Sequence, residues 1–133
     1  MSNISTKGKV LILDDEEMVG EITCHMLSYL GYQATLVEEG ELAVTEYQQK
    51  FRDGEPYDLV IMDLMVPAGM GGKEATREIL AINPAARVIV SSGLGTDPVM
   101  TDYADYGFAG TLNKPFNLDI LQSSLEMFST FSA

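Results

Sequence analysis

The chain has 133 residues, 46% hydrophobic and 21% charged, a composition typical of one globular domain rather than of a disordered, collagen-like or disulfide-rich chain. Acidic residues outnumber basic ones by 20 to 8, and the net charge of −12 argues against nucleic acid or anionic lipid as ligands and favours cations or a partly basic protein partner. Cys24 is the only cysteine, which rules out an internal disulfide, and no apolar run approaches the roughly 18 residues of a membrane span.

The first predicted unit is a buried strand followed by a helix. Lys9–Leu13 is almost entirely apolar, which is typical of a strand buried on both faces of a sheet. After it, an apolar residue recurs at every fourth position: Met18, Ile22, Met26 and Leu30. This spacing predicts a helix that ends near Gly31, with its apolar side toward the core. We expect Met18 and Met26, like Met62 further on, to fill core space.

The second and third units follow the same pattern. Gln33–Val37 predicts a strand that is more polar than the first and therefore lies near a sheet edge, and Glu41–Lys50 predicts the second helix. The apolar run Tyr57–Met62 predicts a third, buried strand. The third helix is predicted over Lys73–Ile82 and ends at Asn83-Pro84.

The fourth and fifth units complete the series. Arg87–Ser91 predicts another buried strand, and Thr96-Asp97-Pro98 predicts the start of a helix that ends near Gly107. Phe108–Leu112 is more polar and predicts a strand near an edge. Apolar residues at helical spacing mark the last helix: Leu118, Leu121, Leu125 and Phe128. Asn117 fits its N-cap position.

Five alternating strands and helices predict a parallel sheet with helices on both faces. The two common open arrangements are Rossmann-like and flavodoxin-like, and five strands favour the flavodoxin-like α/β fold, (βα)5, with strand order 2-1-3-4-5. We see no linker or repeat, so we expect one domain over residues 9–130 with short tails at 1–8 and 131–133.

The strongest functional signal is the position of the acidic residues. Asp14-Asp15 follow the first strand and Asp63 follows the third. In the predicted order these strands are neighbours where the order reverses, and ligands bind there, beyond the carboxyl ends of the strands. The fourth and fifth strands bring a hydroxyl from Ser91-Ser92 and the ammonium of Lys114 to the same edge.

This set of side chains predicts a metal-assisted phosphoryl-transfer site. Three close carboxylates repel one another unless a cation lies among them. An all-oxygen ligand set selects a hard ion such as Mg²⁺, and one histidine (His25) with one cysteine cannot build a zinc site. A cation and an ammonium can offset the charge of a transferred phosphoryl group while a carboxylate attacks phosphorus.

Four segments resemble the receiver domains of bacterial and archaeal two-component signalling, within a similarity that extends from about Lys9 to Phe128: Val10–Glu16, Val60–Pro67, Val88–Gly93 and Asn113–Phe116. The resemblance implies that Asp63 accepts the phosphoryl group. It implies that Asp15 binds Mg²⁺ directly, that Asp14 acts through water, and that the backbone carbonyl of Met65 completes the protein's ligands.

The resemblance also assigns the remaining site residues. Ser92, which directly precedes Gly93, matches the Ser/Thr switch, and Lys114 matches the lysine that contacts the phosphoryl group. The Lys114–Pro115 bond is expected to be cis. Thr111 stands where many members carry an aromatic residue, so we expect residues 93–96 and the fourth helix to carry the conformational change instead.

By the same resemblance, the protein is expected to be a signalling switch that catalyses its own phosphorylation and dephosphorylation and is not a turnover enzyme. The expected donor is a phosphohistidine on a histidine kinase or a histidine phosphotransfer domain. A downstream protein is expected on the face formed by helix 4, strand 5 and helix 5. A weak homodimer is a further expectation. Neither nucleic acid nor direct membrane contact is expected, and the expected location is cytoplasmic.

Several short sequence segments, such as Ser91-Ser92-Gly93, most resemble those of receiver domains fused to hybrid sensor histidine kinases. The chain is therefore expected to be either a stand-alone regulator or a domain of such a kinase. The loop Pro67–Gly72 is one residue longer than the common family form.

Two other functions use similar residues or the same fold. A phosphatase of the haloacid dehalogenase type needs a second Asp two residues after its nucleophile, but Met65 follows Asp63 at that spacing. A flavin- or nucleotide-binding module needs a glycine-rich first loop, whereas this loop is Asp14–Glu17. Both alternatives therefore fit less well than the switch.

Overall fold

A computed structural model of the chain describes residues 7–64, 70–93 and 98–128. Its five parallel strands form one sheet in the order β2-β1-β3-β4-β5. The strands are β1 (Lys9–Leu13), β2 (Gln33–Val37), β3 (Leu59–Asp63), β4 (Val88–Ser92) and β5 (Gly110–Asn113). The predicted flavodoxin-like α/β fold and its strand order are confirmed, and the two more polar strands lie at the edges.

The helices follow the strands as predicted, with one difference. They are α1 (Glu17–Tyr29), α2 (Gly40–Arg52), α3 (Gly72–Ile82), α4 (Pro98–Thr101) and α5 (Leu118–Phe128). The fourth helix ends at Thr101, and a 3₁₀ turn over Tyr103–Tyr106 takes the chain to Gly107. Asp102 leaves the helical backbone conformation, and the tighter turn lets Tyr103 pack against the core.

Two predicted helix ends are confirmed in atomic detail. Asn117 accepts a hydrogen bond from the Ile120 N–H at 2.9 Å, the bond that an N-cap makes. Gly31 follows α1 with a φ of 98°, a left-handed conformation that glycine adopts without a steric penalty.

The sheet separates two hydrophobic layers. One layer contains alternate residues of the central strands, such as Val60 and Met62, packed against α2, α3 and α4. The other contains the intervening residues, such as Ile61, packed against α1 and α5. This alternation follows from the two-residue period of a strand. None of the helices within the described ranges is long and apolar enough to cross a membrane.

The predicted core face of α1 is confirmed for Met26 and Leu30, which pack against the core, and is wrong for Met18 and Ile22. Its buried residues are Gly20, Thr23 and Leu27, while Met18 is 76% exposed and Ile22 is 56% exposed. A spacing of four residues drifts by about 40° per step around a helix of 3.6 residues per turn, so it cannot stay on one buried side. Met18 and Ile22 therefore lie on the surface, whereas Met26 is partly buried against the core and Met62 is fully buried, as expected.

Close packing keeps α1 in this orientation. A methyl group at Gly20 would lie 2.7 Å from Cδ1 of Leu36 on β2, so glycine lets the helix approach the sheet along that line. Ile22 and Met26 of α1 then line a hollow together with Pro115 and Phe116, which precede α5.

Candidate functional site

Three carboxylates gather at the carboxyl edge of the sheet. Asp14 and Asp15 directly follow β1, Asp63 is the last residue of β3, and one carboxylate oxygen of each lies within 4.8 Å of the others. The pairing of Leu13 with Met62 between β1 and β3 brings them together. Asp14 and Asp63 are each only 3% exposed, and Asp15 is half-buried. The predicted convergence is therefore present in the fold.

Lys114 reaches into this cluster from the end of β5. Its ammonium donates to Oδ2 of Asp14 at 2.8 Å and to Oδ2 of Asp63 at 3.3 Å. Burial acts to lower the pKa of Lys114, but the hydrogen bond to Asp14 and the negative charges of Asp63 and Asp14 outweigh it, and the pKa is raised. A charged ammonium thus offsets part of the repulsion between two buried carboxylates.

The backbone around Lys114 fixes the direction of its side chain. Its N–H donates to the carbonyl of Ser92 at 2.9 Å, which continues the pairing of β5 with β4. The Lys114–Pro115 bond is cis, as expected.

Asp14 and Asp15 differ in how their oxygens are used. Asp14 accepts the Glu16 N–H through Oδ1 at 2.9 Å and the Lys114 ammonium through Oδ2. Asp15 makes no hydrogen bond or ion pair with any residue in the described part of the chain. The direct contact of Asp15 with a metal and the water-mediated role of Asp14 stay predictions.

The two serines of β4 are both buried, each 1% exposed. Ser91 pairs in register with Asp63, and Ser92 pairs with Asn113 one step nearer the edge. The Oγ of Ser91 has no hydrogen-bond partner among the described residues, and an unsatisfied buried hydroxyl costs about 1–3 kcal/mol. The burial of the two serines is equal, so the role given to Ser92 stays a prediction.

Two predicted features lie partly or wholly beyond the described residues. Met65, the expected carbonyl ligand, falls in the range 65–69, and most of the expected switch loop falls in 94–97. The longer loop Pro67–Gly72 is described only from Met70 onward.

A groove of about 840 Å³ opens from the acidic cluster along α1. Asp15, Asp63 and Lys114 line its polar end, and its other walls are largely apolar: Val19, Ile22, Met26, Pro115 and Phe116. Sequence reasoning missed this groove because it assigned the apolar residues of α1 to the core. The signal was available, since that stripe is wider than one buried helix face.

Comparison with known proteins identifies the family. The family model described as the response regulator receiver domain matches residues 10–126. The response regulator GacA of Pseudomonas protegens is 33% identical over 121 residues, which cover 90% of this chain and 54% of GacA. The chemotaxis protein CheY of Thermotoga maritima is 31% identical over 109 residues, which cover 81% of this chain and 86% of CheY. The chain thus spans about half the length of GacA and most of that of CheY.

Solved structures agree with this assignment. The receiver domain of the sensor histidine kinase PA1611 from Pseudomonas aeruginosa PAO1, which has a magnesium ion coordinated in its active site cleft, is 28% identical with a TM-score of 0.78 and covers 90% of this chain and 94% of that one. The chemotaxis protein CheY4 of Vibrio cholerae shares the fold, with a TM-score of 0.80 at 22% identity over 92% of this chain and 98% of CheY4. With nearly the whole of its sheet and helices inside the matched region, the chain belongs to the response regulator receiver domain family.

Proposed function

We propose that this receiver domain accepts a phosphoryl group on Asp63 from a phosphohistidine donor, with Mg²⁺ bound beside it. The observation that carries the proposal is the ammonium of Lys114 held between Asp14 and Asp63 inside a cluster of three carboxylates. A carboxylate nucleophile, an acidic cation site and a fixed ammonium are the parts that phosphoryl transfer needs.

The donor set fits Mg²⁺. All three side chains offer carboxylate oxygens, and Asp15 has an oxygen without a partner in the described residues. Hard cations of this size prefer such oxygens and keep some of their water. Asp15, Asp63 and the Met65 carbonyl would hold the ion directly, and Asp14 would hold it through water. When bound, the ion offsets negative charge on the phosphoryl oxygens.

The chain's own residues perform the remaining steps. Asp63 attacks phosphorus, and its new bond to phosphorus forms as the donor's P–N bond breaks. Lys114, already directed at Asp63, pairs with a phosphoryl oxygen, and its bond to Asp14 keeps it in place. Ser92 donates a hydrogen bond to another phosphoryl oxygen. The phosphoryl group adds about −1.5 to −2 charges beside Asp63 and thereby alters the surrounding surface.

The groove along α1 is the proposed route for the donor. It joins the acidic cluster to Ile22 and Met26, which also line a shallower apolar hollow that continues to Tyr29 and Leu118. Glu16 lines the groove, and the first turns of α1 carry two further exposed acidic residues, Glu17 and Glu21. An apolar helix that carries the phosphohistidine, flanked by basic residues, is complementary to this surface in shape and charge.

This route predicts different effects on protein and small-molecule donors. Ile22→Glu places a charge in the groove but not among the carboxylates, so it should slow transfer from a purified phosphohistidine domain by about tenfold or more. Phosphorylation by acetyl phosphate should continue at the wild-type rate, because that donor needs no docking surface. Intact-protein mass spectrometry measures both rates.

Ile120→Glu is the matched control, because Ile120 is 49% exposed on α5 and lines a different hollow with Met127 and Phe128. It should leave transfer from either donor unchanged. Equal losses in the two variants, or an equal loss with both donors, would contradict the proposed route.

The proposed output surface is the face of α4, β5 and α5. Tyr103 on the 3₁₀ turn packs against the core cluster, and the half-buried Thr111 on β5 carries no ring that could move inward. Ile120 and Met127, seven residues apart on α5, are exposed and available to a protein partner. A protein partner could bind this surface whether the chain is a stand-alone response regulator or a domain of a hybrid kinase. The cytoplasmic location stays a prediction.

The conformational response to phosphorylation can show which of the two serines, Ser91 or Ser92, has the switch role. Beryllofluoride, a phosphoryl mimic, should change hydrogen exchange most between Gly93 and Tyr106. Ser92→Ala should remove most of that change, because the hydroxyl that follows the phosphoryl group is lost. Ser91→Ala should keep the change and leave stability equal or higher, because it deletes an unsatisfied hydroxyl. The reverse pattern would transfer the switch role to Ser91.

A further inference from the structure

Two glycines bring the start of α3 into contact with two distant parts of the chain. The first is Gly40, the buried first residue of α2. A methyl group at Gly40 would overlap the carbonyl oxygen of Met70 and lie 2.9 Å from its carbonyl carbon. Because the obstacle is backbone, a larger residue could be accommodated only if the chain at Met70 moved. Gly40 therefore acts through close approach, since its φ is not positive.

The next residue of α2, Glu41, contacts the backbone of the same residue, Met70. Glu41 accepts a hydrogen bond from the Met70 N–H through Oε1 at 3.3 Å. The first turn of α2 thus contacts both polar groups of the Met70 backbone, the N–H through a side chain and the C=O through the Gly40 backbone.

The second glycine, Gly72, connects this point to the candidate site. A methyl group at Gly72 would lie 2.6 Å from the carbonyl oxygen of Asp63 and 3.1 Å from Cγ of Met62. Residues 70–72 therefore run from α2 to the backbone of Asp63, with close contact at each end. A shift of Met70 would therefore displace Gly72, which is the residue packed against the carbonyl of Asp63.

We propose that Gly40 and Glu41 are positioning residues for the Mg²⁺ site, acting through Met70 and Gly72 on Asp63. This inference rests on the proposed function, because it assumes that the carboxylates bind Mg²⁺. Neither residue touches the carboxylate cluster. Their effect is to fix residues 70–72, which pack against the backbone carbonyl of Asp63, so that its carboxylate is already in place when the ion binds. Substitution of residues that orient metal ligands from outside the coordination sphere commonly lowers metal affinity by about tenfold or more.

Gly40→Ala tests the inference, and Gly71→Ala is its matched control. Among the described residues, no atom lies within 4 Å of a methyl group at Gly71, although Gly71 adjoins Met70. Titration calorimetry on the full chain measures the affinity for Mg²⁺. This affinity should fall by roughly tenfold in Gly40→Ala and stay at the wild-type value in Gly71→Ala. Urea unfolding in EDTA establishes that each variant is folded.

Glu41 provides a second test that does not depend on how Gly40→Ala folds. Glu41→Gln keeps an oxygen that can accept the Met70 N–H, whereas Glu41→Ala does not. Mg²⁺ affinity should therefore fall in Glu41→Ala and be retained in Glu41→Gln. Equal losses would mean that Glu41 acts only by its charge, and that result would overturn its positioning role.

The outcomes separate this inference from the function on which it rests. If the wild-type chain does not bind Mg²⁺, the proposed function is wrong. If the wild type binds Mg²⁺, and folded Gly40→Ala and Glu41→Ala bind it equally well, the α2 contact has only a structural role and the inference is overturned.

Discussion

Asp63→Asn is expected to abolish phosphorylation of the chain. The amide has the same shape as the carboxylate, but it is a far weaker nucleophile, and the site would lose one of the three charges that attract Mg²⁺. With acetyl phosphate and Mg²⁺, intact-protein mass spectrometry should show one added phosphoryl group on the wild type and none on the variant. We expect complete loss of the adduct, because Asp63 is the carboxylate that the Lys114 ammonium contacts and that we propose as the phosphoryl acceptor.

Asp53→Asn is the control for this experiment. Asp53 is exposed beyond the end of α2 and interacts with the nearby Gln49. Its substitution should leave the adduct unchanged. A substantial adduct on Asp63→Asn would move the acceptor role to another residue.

Lys114→Met is expected to have the largest effect on stability. The substitution keeps most of the side-chain volume but leaves the carboxylates of Asp14 and Asp63 without their ammonium. Removing one partner from a buried ion pair costs about 3 kcal/mol or more in the free energy of unfolding. Urea denaturation without Mg²⁺ should show this loss. Mg²⁺ should restore more stability to the variant than to the wild type, because it supplies the missing positive charge.

Lys9→Met is the matched control. Lys9 pairs with the exposed Glu55, and such surface pairs contribute about 1 kcal/mol or less. A loss in Lys114→Met no larger than that in Lys9→Met would contradict the importance assigned to Lys114.

The contribution of Lys114 should also depend on pH in one direction. Its pKa is raised in the folded state, so the folded protein holds this proton more tightly than the unfolded chain does. The stabilisation is therefore complete below about pH 10.5, the ordinary value for lysine, and is lost as the pH rises through the folded pKa. The stability difference between wild type and Lys114→Met should be constant from pH 7 to about pH 9.5 and shrink at higher pH.

Those features that depend on short-range pattern and on topology could be predicted from the sequence. Lys9–Leu13 was predicted to its exact bounds, because a short apolar run rich in Val, Ile and Leu is typical of a buried strand. The convergence of Asp14, Asp15 and Asp63 followed from placing residues at the ends of neighbouring parallel strands. Lys114 could be placed at that edge by the same reasoning, although its two hydrogen bonds could not.

The features that were missed depend on how elements pack. The apolar period of α1 was real, but which side of the helix meets the sheet depends on the contact of Gly20 with Leu36, and that contact is not visible in the period. The contact of Gly40 with Met70 joins residues thirty positions apart and leaves no local signal. The fourth helix was predicted too long because its end was placed at Gly107, whereas the backbone leaves the helical conformation at Asp102 and Tyr103 packs against the core.

The most direct test of the proposed function is to locate the phosphoryl group on the wild-type chain. After incubation with acetyl phosphate and Mg²⁺, borohydride reduces an acyl phosphate to an alcohol at the residue that carried it, and peptide mapping by mass spectrometry finds that residue. We predict a single reduced position, Asp63, which disappears when EDTA replaces Mg²⁺. A reduced residue elsewhere, or an adduct that forms equally well in EDTA, would contradict a magnesium-dependent acceptor at Asp63.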